Sequence, residues 1–272
     1  MEAGDAAMAQ EQQGTQRDAE RETDGLIRAL LDMGEALIGS GAEIYRAEDT
    51  LRRIAKSYGA TDCEVFIITS SIVITLDRAG VGPRTQTRRI RRSVENNFTK
   101  LEDLNELSRE VCAHPIPTKQ LQAKTSAIVG TMVPKRGMLL GYVLAASAFT
   151  LFFAGTPVDA LAAGVVGAVL FGLQAYVGPF CMNAVVSQFL SSFLSGILIC
   201  ILCRLLPSLH MARIMIGDIM LLIPGVAFTN SIRDVLLGDT LSGIVRFVEA
   251  LLLAAVLTVG FLAAILLFGR IF

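Results

Sequence analysis

Histidine is almost missing from this chain: His114 and His210 are the two among 272 residues. No G-x-S-x-G elbow, Walker loop or metal-ligand spacing accompanies them, so hydrolytic, nucleotide-driven and metal-centred chemistries lack their usual residues. His114, directly before Pro115, reads as a turn residue. Cysteine is sparse and odd in number: Cys63, Cys112, Cys181, Cys200 and Cys203 are scattered, which fits a reducing compartment better than a disulfide framework. Cys200 and Cys203 form a C-x-x-C inside the apolar run "SGILICILCRLL", without the polar neighbours that a redox or metal pair needs. Neither a cofactor nor a metal is expected. A signal peptide is missing too: "MEAGDAAMAQEQQGTQRDAERETDG" starts acidic and has no apolar stretch before Leu26, so the N-terminal part is expected to stay in the cytosol.

The second half of the chain has little charge. Of 24 Lys and Arg, 19 precede residue 137, and 20 of the 25 acids do the same. A net charge of −1 thus averages two unlike halves and implies no nucleic-acid partner. The fold class expected is a cytosolic α+β N-terminal domain followed by an α-helical polytopic membrane domain of about five transmembrane helices.

Residues 1–22 hold almost no apolar side chains and are expected to form a disordered tail. The α+β domain then covers 23–136. Leu26, Leu30, Met33, Leu37 and Ile38 recur at helical spacing up to Gly39 and Gly41, and a second helix runs from about Ala42 to Tyr58, with Gly59 as its left-handed stop. "CEVFIITSSIVITLD" gives two β-branched strands, and "RTQTRRIR" adds a possible third. Helices near Leu101–Ala113 and Thr118–Val129 close the domain. Over 137–272, apolar runs of spanning length lie near Gly137–Ala154, Val158–Val177, Ala184–Cys203, Ala212–Phe228 and Phe247–Phe268. With five crossings, Lys124, Lys135, Arg136, Arg233 and Arg246 fall inside and Arg204, Arg213 and Arg270 outside, the orientation favoured by the positive-inside rule.

Polar residues are rare enough in this second half to be examined singly. Ala160, Gly164, Ala168 and Gly172, four apart, suggest a smooth packing strip. Ser187, Ser191 and Ser195, widened by Gln188 and Ser192, read either as helix–helix glue or as the wall of a polar pathway. Asp218 would be costly in hydrocarbon; it reads as a proton or substrate site, or as an interfacial partner of Arg213. Asp159 and Glu249 are expected at water-exposed helix ends.

"PGVAFTNSIRDVLLGDTLSGIVR", Pro224 to Arg246, interrupts the apolar pattern. Pro224 disfavours helical backbone at Ile223, so the helix is expected to break at Pro224–Gly225. Thr229 or Asn230 could cap a short helix ended by Gly238, and Asp239 or Thr240 the next. Two helix N-termini flanked by Arg233 and Arg246 would cradle a carboxylate, with Asp234 and Asp239 available for an ammonium or a coupling proton. The competing reading is an ordinary loop whose charges pair with one another.

These residues resemble the threonine/serine exporter family, in particular the larger subunit of its split, two-component, succinate-exporter-like branch. The resemblance rests on "GSGAEIYRAEDTLRRIAKSYG", with Gly41, Ala42, Glu43 and Arg46, and on Pro224–Gly225 followed by Asn230, Asp234, Gly238, Gly243 and Arg246. It implies proton-coupled export of serine, threonine or dicarboxylates such as succinate across the inner (plasma) membrane. It also implies a separate small membrane subunit, because single-chain members carry a second hydrophobic half. The expected substrate-binding residues are Asn230, Asp234, Arg246, Arg233 and Gln188; the expected proton-coupling residues are Asp234, Asp218 and Asp239; an oligomer is possible. Glu43, Arg46 and Glu48 of the N-terminal signature read as helix-start acids and their partner, or as a gate contact. Arg84, Arg88, Arg89, Arg91 and Arg92 read as a solvated face, or as a surface for anionic lipid or substrate. The rival to a transporter is a membrane-tethered regulatory or enzymatic cytosolic domain on a scaffold of membrane helices.

Overall fold

A computed structural model describes residues 2–90, 97–132 and 134–268, with side chains from residue 14 onward. The chain is mostly helical with one small sheet, and it divides into two compact units. Unit 1 consists of Met1–Thr131 and Asn230–Val245; unit 2 consists of Met132–Thr229 and Arg246–Phe272.

Unit 1 opens with α1 (Glu2–Gly39) and α2 (Ile44–Ser57). The helix α1 starts at Glu2, so the stretch expected to be a disordered tail is helical. Around residues 18–22 it carries ion pairs: Arg21 meets Asp18 one turn back, Glu20 meets Arg84, and Glu22 meets Arg78 at 3.1 Å. Gly41, at φ 94°, ends the helix by letting its own N–H return to Ile38 and that of Ala42 to Leu37. Gly59, at φ 80°, does the corresponding service after α2, as its position in the sequence predicts.

Strands β1 (Asp62–Ile68), β2 (Ser71–Asp77) and β3 (Arg84–Arg89) form an antiparallel meander, with Val65 opposite Ile74 and Ile74 opposite Gln86. Alternation turns Cys63, Val65, Ile67, Ile72, Ile74 and Leu76 onto one face, in a core with Leu30, Leu37, Ile44 and Leu51. The register puts Arg84, Gln86 and Arg88 on that same face. Arg84 and Gln86 donate to Asp24 at 3.0 and 3.1 Å, and Arg88 pairs with Asp32, which also accepts from Gln122. These two arginines therefore serve the α1–β3 joint rather than lipid or substrate. Arg89 is exposed, while Arg91 and Arg92 lie outside the described residues. Helices α3 (Phe98–Ala113, capped by the Asn97 side chain) and α4 (Thr118–Gly130) complete this part, with His114 at the C-terminal end of α3.

Unit 2 holds α5 (Lys135–Phe152), α6 (Pro157–Gly172), α7 (Ala184–Leu205), α8 (Met211–Leu222), the first residues of α9 (Gly225–Leu236) and the greater part of α10 (Thr240–Phe268). Among the described residues three stretches are long and apolar enough to cross a membrane: Pro157–Phe180, Ala184–Leu205 and Thr240–Phe268. A fourth arises if Met211–Leu222 and Gly225–Leu236, bent by 49° at their junction, count as one span. The helix α5, with Lys135 and Arg136 at its start, is not among them.

The packing strip of α6 differs from the four-residue repeat expected. Ala160, Ala163, Gly164 and Gly167 are buried against α5: a Cβ on Gly167 would lie 2.9 Å from that of Ala146, and one on Gly164 2.8 Å from Ser147 Oγ. Gly172 has nothing within 4 Å. At 3.6 residues per turn, steps of four drift about 40° each, so only a mixture of three and four stays on one face. Part of the serine stripe is helix glue: Gly260 of α10 leaves room for Ser192, and Gly196 for Ala264.

Candidate functional site

The break predicted at Pro224 is present. Ile223 leaves helical geometry (φ −64°, ψ 127°), and Pro224 accepts the N–H of Phe228 as α9 begins. A broken helix frees carbonyls at its end. That of Leu222 is taken by Gln188, whose Nε2 donates across from α7 at 2.8 Å. Gln188 thus supports the break.

The helix restarts sooner than expected. It resumes at Gly225, so Thr229 and Asn230 lie inside α9 and cap nothing; the Thr229 hydroxyl returns to the Gly225 carbonyl at 3.1 Å. The helix ends where expected, at Gly238 (φ 101°), with Gly238 N–H on Val235 and Asp239 N–H on Asp234. Asp239 then offers its carbonyl to Gly243 as α10 begins. The first turn of α10 therefore adjoins the C-terminal end of α9, and a cradle made of two helix N-termini does not form. Gly243 sits tight against α9: a Cβ there would lie 2.8 Å from the Ser231 carbonyl oxygen.

Within unit 1 the two signature segments meet. Arg233 Nη1 donates to Glu43 Oε1 at 2.8 Å, across 190 residues of sequence. Glu43 sits at the N-cap of α2 without a side-chain capping bond, and Arg46 is exposed. Glu48 accepts from Ile67 N–H at 3.0 Å and from Arg52 at 2.9 Å. Burial raises its carboxyl above the usual glutamate range; those two donors oppose the rise, and the charge of Asp239 adds to it. Asp234 is buried, whereas Asn230 and Asp239 are half-buried. Arg246 belongs to unit 2 and is half-buried.

Unit 2 contains two fully buried acids with opposite surroundings. Asp159, expected at a wet helix end, is sealed from solvent. It completes a capping box with Thr156 at the start of α6 and also accepts the backbone N–H of His210 at 2.8 Å, with His210 Nδ1 at 3.0 Å. The Thr156-x-x-Asp159 spacing was a visible cap signal; nothing in sequence pointed to His210. Asp218 is equally inaccessible, yet neither of its carboxyl oxygens has a hydrogen bond among the described residues, and Arg213 does not reach it. Five residues along a helix turn a side chain through about 140°, which puts Arg213 on another face. Glu249 is exposed, as expected. No group of three or more metal-ligating side chains occurs among the described residues.

A profile of the ThrE family, described as threonine/serine exporters, matches residues 28–268. No curated protein and no solved structure matches. The match extends through both units and includes Glu43, Asp218, Gln188 and the whole broken segment around Pro224. This chain belongs to the ThrE threonine/serine exporter family.

Proposed function

We propose that the chain is the larger subunit of a split exporter that moves small polar metabolites out of the cell in exchange for protons. Serine, threonine and dicarboxylates such as succinate are the substrates to which its resemblance points. It lies in the inner membrane with five crossings, α5 being the first, and keeps its N-terminal domain in the cytoplasm beside a small membrane subunit. Asn230, Asp234 and Arg246 border the substrate, with Arg233 and Gln188 as supporting residues. Proton coupling falls to Asp234, Asp218 or Asp239.

The observation that carries this reading is the break at Ile223–Pro224, flanked by buried Asp218 on one side and by polar α9 on the other. Irregular backbone at membrane depth is tolerated where it lies against protein or lines a watery route, and broken helices are where secondary transporters place their ligands. The Glu43–Arg233 pair supports a gating role for the N-terminal signature, since Arg233 must exchange its carboxylate partner before it can meet an anionic substrate.

The test is counterflow in proteoliposomes containing the full chain and a co-purifying small subunit, screened with serine, threonine and succinate. Wild-type protein should exchange at least one of them, and Asp234→Asn should reduce that exchange to the level of empty liposomes while inserting normally. Parental exchange by Asp234→Asn removes Asp234 from the site. If no substrate exchanges in wild-type vesicles, the exporter reading fails.

A further inference from the structure

Among the three acids offered for proton coupling, the structure distinguishes one. Asp218 is completely buried in α8, inside unit 2, with both oxygens lacking a hydrogen bond among the described residues. An ionised carboxylate without partner or solvent is among the least tolerable states in a protein interior, and more so in a membrane. Taking up a proton removes that cost. The competing acids are situated differently. Asp234 is as deeply buried but is not without a partner, Asp239 is half-buried at a helix junction, and, outside those three, Asp159 is satisfied by Thr156 and His210 and Glu48 by Ile67 and Arg52.

Among the described residues no cation pairs with Asp218. The helices packed against α8 are α5, α6 and α7. Their ionisable groups are Lys135, Arg136 and Tyr142 on α5, Asp159 on α6, and Cys200, Cys203 and Arg204 on α7; Arg213 lies on α8 itself. Lys135 and Arg136 are at the start of α5, and Arg204 is in the last turn of α7. Beside Asp218 the packing is close. A Cβ on Gly217 would fall 2.0 Å from Thr150 Oγ1 and 2.9 Å from the Ala146 carbonyl oxygen. Thr150 Oγ1, and Ser195 Oγ on α7, are themselves buried without a partner among the described residues. A proton needs only the carboxyl group itself, and no group of three or more metal-ligating side chains occurs among the described residues.

We infer that Asp218 carries the coupling proton and that it is neutral in this conformation. The inference rests on the exporter reading above. A proton enters from the outer side onto the Asp218 carboxylate, forming one O–H bond, and leaves to the cytoplasm when that bond breaks; the exported substrate moves the other way.

The test separates coupling from substrate movement. Full-length protein with its co-purified subunit is reconstituted, and labelled substrate is followed in two modes: accumulation driven by an imposed pH gradient, and counterflow without a gradient. Asp218→Asn, which mimics the neutral acid, should lose gradient-driven accumulation while counterflow continues near the parental rate. Asp218→Glu should restore accumulation with a displaced pH profile. Accumulation by Asp218→Asn at the parental rate overturns the proposal, and so does loss of both modes in a variant that inserts and unfolds like wild type. Failure of wild-type counterflow would instead strike the exporter reading. In that case infrared difference spectra still decide the state of Asp218: a carboxylic-acid C=O band at neutral pH should be present in wild type and absent from Asp218→Asn. Its absence from wild type overturns the proposal. Wild-type dependence on sodium in place of the pH gradient does so as well.

Discussion

Unit 1 and unit 2 treat charge in opposite ways. In unit 1 the acids of α1 meet Arg78, Arg84 and Arg88, Glu43 meets Arg233, and Glu48 meets Arg52. Most of these pairs are partly exposed, so each is individually weak, and together they set the orientation of helices against a sheet. Unit 2 has few charges. It provides one buried acid with several donors and leaves the other, Asp218, with none among the described residues. A buried charge that has partners is part of the architecture. One that has none is a reason to look for a ligand that comes and goes, and the proton is the smallest such ligand.

Asp159 and Asp218 should differ most when each is replaced. Asp159→Ala should destabilise the full chain by about 2–4 kcal/mol, because it removes the cap of α6 and the acceptor of the His210 N–H. Asp218→Asn should leave thermal unfolding in detergent unchanged or raise it. If the two substitutions cost the same, the distinction between structural and functional acids is lost.

A smaller effect tests the packing beside Asp218. Gly217→Ala should cost about 1–3 kcal/mol, since its methyl group meets Thr150 and the Ala146 carbonyl, whereas Gly172→Ala, with open space around it, should be nearly silent. Thermal unfolding of the two variants side by side reads the difference.

Charge pairing in unit 1 should be weaker still. A double-mutant cycle on Glu43→Ala and Arg233→Ala should give a coupling of roughly 0.2–1 kcal/mol in stability, because the Arg233 side chain is 59% exposed. Transport by the same variants should change by far more than that coupling if the pair is a gate. Equal changes in both would make it structural.

The smallest effect is a pH slope. Burial, the largest influence on Glu48, raises its carboxyl above the unfolded value of 4.5. The folded state then holds the proton more tightly than the unfolded one. Its contribution is fully present below pH 4.5 and is lost as pH rises through the raised folded value. The stability of Glu48→Gln relative to wild type should therefore improve with rising pH across that window, as measured by unfolding at a series of pH values. A difference that stays flat would mean that the Ile67 and Arg52 bonds cancel the burial.

Much of the fold was legible because its causes are local. Alternation of apolar residues located β1 and β2, Gly59 and Gly238 marked helix ends through positive φ, and Pro224 broke a helix by removing a donor and constraining Ile223. Local rules failed where long-range contacts supplied what the segment lacked. Residues 2–22 look too polar to order, yet they are helical, and Glu20 and Glu22 at the end of that stretch pair with Arg84 and Arg78. Asn230 looks like a cap because it follows a break, but α9 had already restarted at Gly225, so the residue became helical interior.

By itself, then, the sequence determined the uneven distribution of charge, the apolar segments, the break at Pro224 and the membership of a family, since each depends on residue type and spacing alone. Tertiary structure alone decided which charges are answered. Whether an aspartate meets a donor depends on side chains brought to it from elsewhere in the chain, as His210 is to Asp159 and Arg233 to Glu43 across 190 positions. Asp159 and Asp218 are the same residue type in similarly apolar stretches, and only the packing of neighbouring helices makes one a fastening and leaves the other without a donor among the described residues.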